Sequence, residues 1–121
     1  MTPTKASAQE PPRQDVEELA GLDDLADALL LLKTPDEAKR FLRDLCTVAE
    51  LEQLAHRWQI VRLLEQKVPY LDIAERIGTS TATVTRVAHW LRHGTGGYRS
   101  VLQTEAADAA SPAPAPGKAP R

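Results

Sequence analysis

Apolar residues recur at steps of three and four along most of this chain, which is the spacing of one face of an α-helix. The first such series runs from Val16 to Leu32, with Gly21 as its weak point. Further series follow, with Phe41 and Trp58 among their apolar positions. No stretch alternates apolar and polar residues, as a half-buried strand would. The sequence therefore predicts an all-α protein.

Three places in the sequence have the composition of a helix start. The segment Thr34-Pro35-Asp36-Glu37 offers a capping threonine, a proline in the first turn and two carboxylates near the positive end of the helix dipole. Thr47 and Glu50 have the spacing of a capping box. Pro69 can begin a further helix, because its missing amide proton costs little there. These signals predict the starts of three successive helices.

The segment from Tyr70 to Leu91 has the organisation of a helix-turn-helix. Ala74 lies where the two helices would cross, and its small side chain lets them approach closely. Gly78 would end the first helix, since a left-handed backbone costs glycine almost nothing. Ser80 or Thr79 could accept a hydrogen bond from the free amides that open the second helix. The alternative is a helical hairpin inside an ordinary helical core.

The second helix of this motif would expose short hydroxyl and methyl groups together with one arginine. Such a surface suits the major groove of DNA, where base edges are read. Arginines that flank the motif can reach the phosphate backbone. The candidate DNA-binding residues are Arg57, Arg76, Ser80, Thr81, Ala82, Thr83, Thr85, Arg86, His89 and Arg92.

The chain has 121 residues, enough for one domain. Residues 1–14 and 104–121 are rich in proline and small residues and have no apolar periodicity, so we expect both segments to be disordered. The predicted domain spans residues 15–103, with the motif at 70–91. Within it, Gly94 to Gly97 breaks the helical pattern, and residues 98–103 predict one last short helix.

The net charge of −2 argues against binding to nucleic acid, but the distribution of charge along the chain is more favourable to it. Residues 1–45 carry 6 basic and 10 acidic side chains, whereas residues 46–103, which include the motif, carry 7 basic and 5 acidic ones. The excess of basic over acidic side chains in residues 46–103 is modest, so the nonspecific affinity of a single copy for DNA should be weak.

Other classes of function have little support in the sequence. Cys46 is the single cysteine, so no intrachain disulfide can form, and its spacing is typical of a core residue. His89 and His93 would share a helix face, but no carboxylate or cysteine is placed to complete a metal site, and none is expected. No catalytic motif, signal peptide or membrane-length apolar run occurs. We expect a cytoplasmic protein that is not an enzyme and has no membrane partner.

Two features suggest that one chain does not complete the fold. Leu29 to Leu32 is apolar all round a helix, so it needs cover on more than one side. A single helix-turn-helix reads few base pairs, and such proteins usually pair two units about 34 Å apart along the DNA. We therefore expect a homodimer whose interface is formed by the N-terminal helices. The alternative is that these helices complete a monomeric core.

From Thr47 to Leu91 the sequence resembles the Trp repressor superfamily, most closely its YerC/YecD-type branch. The resemblance implies an all-helical, intertwined homodimer that binds double-stranded operator DNA and represses transcription. Leu71 and Ala74 stand where the Trp repressor has basic residues, so no operator sequence is carried over. The segments that carry the resemblance are residues 44–50, 55–57, 60–61, 63–64, 80–86 and 96–98.

The resemblance also implies a candidate effector pocket at Arg57, Arg86, Val87 and Trp90. The two arginines match those that contact tryptophan in the Trp repressor, whereas Val87 replaces a glycine and Trp90 replaces a serine. The larger side chains of Val87 and Trp90 reduce the space that the ligand would need. The lost serine hydroxyl leaves the ammonium group of a bound tryptophan without a hydrogen-bond partner, and burying an unpaired ammonium is costly. We therefore expect that tryptophan is not the corepressor and that no cofactor is required. Another small-molecule corepressor remains open, as does a role of the motif in protein–protein interaction.

Overall fold

The computed structural model describes residues 19–110, which contain six α-helices and no strand. The predicted all-α fold is confirmed. No helix within this described part is long and apolar enough to span a membrane. The helices, in chain order, are α1 (Leu22–Leu30), α2 (Pro35–Leu45), α3 (Val48–Glu65), α4 (Tyr70–Ile77), α5 (Thr81–His93) and α6 (Gly97–Ala110).

The predicted helix starts at α2 and α3 are confirmed in atomic detail. The amide of Glu37 donates to Oγ1 of Thr34 at 3.1 Å. At α3, the amide of Glu50 donates to Oγ1 of Thr47 at 3.1 Å, and the amide of Thr47 donates to Oε1 of Glu50 at 2.9 Å. This reciprocal pair is a complete capping box. Local hydrogen-bond chemistry therefore sets both boundaries.

The start of α1 differs from the prediction of a continuous helix through Gly21. Gly21 has a φ of 82°, in the left-handed region, and it is the N-cap residue of a helix that begins at Leu22. Glycine adopts this conformation without steric cost, so the residue predicted as a weak point is where the helix starts. Val16, the predicted first apolar position, lies outside the described residues.

The C-terminal end of the fold also differs from the prediction. α6 continues to Ala110, so the expected boundary at Gln103 is wrong for residues 104–110. The physical reason is that this stretch is rich in alanine, the strongest helix former, and proline first occurs after Ala110. In addition, the side chain of Glu105 pairs with Arg62 on α3 at 2.6 Å. The predicted disorder of residues 1–14 and 111–121 lies outside the described residues.

The chain divides between Trp58 and Gln59 into two units. The described part of the N-terminal unit, residues 19–58, contains no fully buried apolar side chain. The described part of the C-terminal unit, residues 59–110, has an apolar core formed by α3, α4 and α5. The core residues are Ile60, Val61, Ile73, Ala74, Val84, Val87 and Ala88.

Candidate nucleic-acid interface

α4 and α5 form the helix-turn-helix that the sequence predicts. Gly78 follows α4 with a φ of 82°, and its amide donates to the carbonyl of Ala74 at 2.9 Å. The amide of Thr79 donates to the same carbonyl at 2.9 Å, which satisfies the last turn of α4. Ala74 itself is buried and α4 packs directly on α5, as expected for a small residue at a crossing. A tight glycine turn therefore fixes the start of α5.

Ser80, and not Thr79, is the N-cap of α5. Its Oγ accepts a hydrogen bond from the amide of Thr83 at 3.1 Å. The Thr83 hydroxyl lies 3.1 Å from the same oxygen. Both side chains thus order the first turn of α5. Because Thr83 is also half-buried, it is a weaker candidate for base contact than its neighbours.

α5 has an apolar face and a polar face, which are separated as the sequence predicts. Val84, Val87 and Ala88 are buried in the core of the C-terminal unit. The opposite face is solvent-exposed and carries hydroxyl, methyl, guanidinium and imidazole groups. Its residues are Thr81, Ala82, Thr85, Arg86 and His89. No acidic residue occurs anywhere in α5, so this face presents no carboxylate that would repel phosphate.

The arginines predicted to contact phosphates occupy different environments. Arg76, in the last turn of α4, is exposed. Arg92 donates from Nη2 to the hydroxyl of Tyr70 at 3.2 Å, so it links the end of α5 to the start of α4. Arg57 is exposed on α3 and belongs to the N-terminal unit. The structure therefore places Arg76 and Arg92, but not Arg57, in the same unit as the motif.

Aromatic rings gather at the end of α5. The rings of His89 and Trp90 meet edge to face, with centroids 4.8 Å apart and planes at 80°. The rings of His89 and His93 are 5.0 Å apart. Within residues 19–110, no group of three or more histidine, cysteine or acidic side chains is arranged to hold a metal ion. Cys46 is a half-buried free thiol.

Three residues of the candidate effector pocket lie on α5. Val87 is 5% exposed and belongs to the core, whereas Trp90 is half-buried and Arg86 is exposed. Arg57, the fourth, lies in the N-terminal unit. The side chain of Val87 is therefore packed in the core of the C-terminal unit and does not line an open cavity on its surface.

Sequence reasoning missed one feature of the motif surface. Leu71, on α4, is 73% exposed although it is a large apolar residue. It lines an open cleft of about 490 Å³ together with Thr79 and Thr81, at the junction of the two helices of the motif. The missed signal was its position: Leu71 lies two residues before buried Ile73, which places the two on different faces of α4.

Comparison with known proteins agrees with this architecture. The family model described as Trp repressor protein matches residues 20–106. The YerC protein of Bacillus subtilis (strain 168) is 40% identical over 81 residues, which cover 67% of this chain and 78% of YerC. A Trp operon repressor homolog of Chlamydia trachomatis serovar L2 is 32% identical over 83 residues, covering 64% and 88% of the two chains.

A solved structure extends the similarity to three dimensions. The crystal structure of a TrpR-like protein from Eubacterium eligens matches with a TM-score of 0.70 and 37% identity, covering 76% of this chain and 95% of that one. The fold, with its helix-turn-helix, is that of an all-α DNA-binding regulator at the family level. The chain belongs to the Trp repressor family. Members of this family are regulators and not enzymes.

Proposed function

We propose that this protein is a sequence-specific DNA-binding transcriptional regulator that represses its target genes as a homodimer. The observation that carries the proposal is the exposed face of α5, formed by Thr81, Ala82, Thr85, Arg86 and His89. Small side chains at the start of the helix allow its backbone to enter the major groove closely. Arg86, near its middle, can donate to a guanine through two parallel hydrogen bonds.

The surroundings of α5 support its insertion into a groove. Ser80 caps the helix and fixes its first turn, so the base-reading residues are held on a rigid element. Arg76, in the last turn of α4, and Arg92, in the last turn of α5, are exposed and can reach the backbone of a duplex. Because Arg92 is also hydrogen-bonded to Tyr70, its guanidinium is partly oriented before DNA arrives.

The N-terminal unit supports pairing of two chains. Its exposed apolar residues include Leu30 and Leu31, at 84% and 70% exposure, and continue at Leu45 and Val48. A groove of about 600 Å³ between α2 and α3 has apolar side chains of Leu42, Leu51 and Leu54 in its wall. Exposed apolar surface of this kind is typical of a protein interface. In this proposal, the partner chain covers it.

The same proposal holds that free tryptophan does not switch the protein. Val87 and Trp90 would fill the space that the ligand needs, so the recognition helices would be held without it. Isothermal calorimetry should detect no tryptophan binding at micromolar concentrations, and added tryptophan should leave the affinity for DNA unchanged. Micromolar binding that strengthens DNA affinity would contradict this part of the proposal. The same titration can be repeated with other small molecules as corepressors.

The experiment that tests DNA binding compares two arginine variants. Operator fragments are first selected from genomic DNA and then titrated in gel shifts at several salt concentrations. Arg86→Ala should weaken specific binding by about 1–3 kcal/mol, because it removes a base contact. Arg99→Ala, on α6 and outside the motif, removes the same charge and should have a much smaller effect.

The salt dependence decides between DNA binding and the alternative role in protein–protein interaction. If α5 enters a groove flanked by phosphates, affinity must fall steeply as salt rises, with a slope set by the number of phosphates contacted. If Arg86→Ala and Arg99→Ala behave alike, Arg86 does not read bases. If no selected fragment is bound in a salt-dependent manner, the proposed function is wrong.

A further inference from the structure

Two of the chain's three histidines, His89 and His93, lie one turn apart towards the end of α5. Both are exposed, and the centroids of their rings are 5.0 Å apart. The ring of His89 also meets that of Trp90 edge to face. Imidazole is the side chain whose charge ordinarily changes between about pH 5 and 8. The charge at this end of α5 can therefore change within the physiological range of pH.

α5 itself offers these rings no anionic partner. Arg86 and Arg92 each lie three residues from His89, so they are its neighbours on the helix surface, and α5 has no acidic residue. Within residues 19–110, no carboxylate forms an ion pair with either ring. Two guanidinium groups and two titratable rings thus stand together on α5 without a negative charge from that helix.

The acidic groups of α4, the helix that packs on α5, lie away from this cluster. Tyr70, at the start of α4, accepts a hydrogen bond from Arg92 through its hydroxyl at 3.2 Å. Asp72 and Glu75 line the cleft beside Thr81, which is the first residue of α5 and lies at the opposite end of the helix from the histidines. The contact that α4 makes with the end of α5 is therefore a hydroxyl and not a carboxylate.

The other acidic groups in the described part of the C-terminal unit line a different cleft. Glu65 at the end of α3, and Glu105 and Asp108 on α6, surround Arg62 there, and Glu105 pairs with it at 2.6 Å. The remaining charge on α4, that of Arg76, is positive. The described part of this unit thus places no carboxylate against the two histidines.

A DNA duplex would supply the negative charge. The first residues of a recognition helix reach the base edges, so the last turn of α5 lies nearer to the phosphate backbone of the groove. An opposite charge within about 4–6 Å favours the charged form of a titratable group, so a phosphate beside these rings favours their protonation. The DNA-bound protein then carries more protons than the free protein, and by linkage its affinity for DNA rises as the pH falls.

We propose that His89 and His93 couple DNA binding to proton uptake, so that the regulator binds its operator more tightly at about pH 5.5 than at about pH 7.5. This inference rests on the proposed function and assigns a form of regulation to the same helix. The affinity should change about fivefold over this range if DNA strengthens proton binding tenfold at one imidazole, and more if it does so at both. The gain is lost as the pH rises, because a neutral imidazole no longer attracts phosphate.

The test measures the affinity of the full-length protein for a selected operator at several pH values, by fluorescence anisotropy at constant ionic strength with EDTA present. The wild-type protein should bind at least about fivefold more tightly at the lower end of the range than at the upper end. A double variant, His89→Gln with His93→Gln, should lose this dependence, because glutamine is polar but does not titrate. The control is His56→Gln, on α3, which removes the remaining histidine and should keep the dependence.

Proton uptake is also measured without any substitution. Calorimetric titrations at about pH 6.5, in two buffers of different ionisation enthalpy, should show that the wild-type protein takes up protons when it binds DNA. If the protein binds its operator specifically without proton uptake, or if the double variant keeps the full pH dependence, the inference is wrong and the proposed function stands. If the wild-type protein shows no sequence-dependent DNA binding at any pH tested, both are wrong.

Discussion

The two units of this protein use apolar residues in opposite ways. In the C-terminal unit, Ile73 and Val84 are fully buried, and the exposed surface of α5 is polar. In the described part of the N-terminal unit, leucines are common but none is fully buried. The C-terminal unit has an apolar core of its own. The described part of the N-terminal unit has many leucines, but no other described part of the unit buries them completely. This difference between the units is what the proposed division of roles rests on, with DNA reading in the first unit and chain pairing in the second.

The largest expected effect tests the core of the C-terminal unit. Ile73→Ala should lower the free energy of unfolding by about 2–5 kcal/mol, since it removes a fully buried side chain and leaves a cavity. Leu71→Ala, two residues earlier on α4 and largely exposed, should change it by at most about 0.5 kcal/mol. Urea unfolding at one fixed protein concentration measures both. Equal losses would show that α4 does not have the two distinct faces described above.

The next effect tests the proposed pairing surface. Leu54 is 45% exposed and lines the groove between α2 and α3, so Leu54→Glu should be tolerated in the single chain. In a dimer it would bury a charge, and the dissociation constant should rise about a hundredfold, which is roughly 2.7 kcal/mol. Sedimentation over a range of concentrations measures the constant.

The control for this experiment is Leu71→Glu, which introduces the same charge at an exposed leucine of the C-terminal unit. It should leave the dissociation constant unchanged, because Leu71 lies beside the proposed DNA-binding face. If both variants dissociate the protein equally, or if neither does, the N-terminal unit is not the pairing surface.

A smaller effect is expected at the helix caps, one from each unit. Ser80→Ala and Thr47→Ala each remove a side-chain acceptor at a helix start, and each should cost about 1 kcal/mol of stability. Their consequences for DNA binding should differ. Ser80 orders the first turn of α5, so its loss should also weaken binding in a gel shift, whereas Thr47→Ala should not. An equal loss of DNA affinity would mean that general stability, and not the order of α5, controls binding.

The smallest effects are expected at two ion pairs within residues 19–110. Asp36 and Arg40 are one turn apart on α2 and both are 74% exposed, so Asp36→Asn should change stability by less than about 0.5 kcal/mol. Glu105 joins α6 to Arg62 of α3 and is less exposed, so Glu105→Gln should cost somewhat more and should fray α6. Hydrogen exchange along α6 measures the fraying. No change in exchange would show that the alanine-rich sequence alone holds the helix.

The sequence predicted those parts of the fold that depend on local chemistry. Thr34, Thr47 with Glu50, and Gly78 were identified correctly, because each acts on backbone groups within four residues of itself. The sequence left Ser80 and Thr79 as alternative caps, and the structure selects Ser80. Which of two adjacent hydroxyl groups faces the helix start depends on the turn geometry, and the sequence does not specify that geometry closely enough.

Features that depend on distant residues could not be predicted in this way. The pair between Arg62 and Glu105 spans 43 positions, so the sequence near Glu105 did not indicate this contact. The alanines after Glu105 were the local signal that α6 could continue to Ala110. The hydrogen bond from Arg92 to Tyr70 likewise links residues 22 positions apart. The exposed face of α5 was predictable, apart from half-buried Thr83, because the period of the helix alone determines which side chains face outward.

The most direct test of this division of roles measures how many chains bind one operator. A duplex carrying two selected half-sites is compared, by sedimentation of the complex, with a duplex in which one half-site is scrambled. The account predicts two chains per intact duplex and a steep loss of affinity on the scrambled one, because the N-terminal units hold two reading units together. One chain per duplex, bound equally to both, would contradict it.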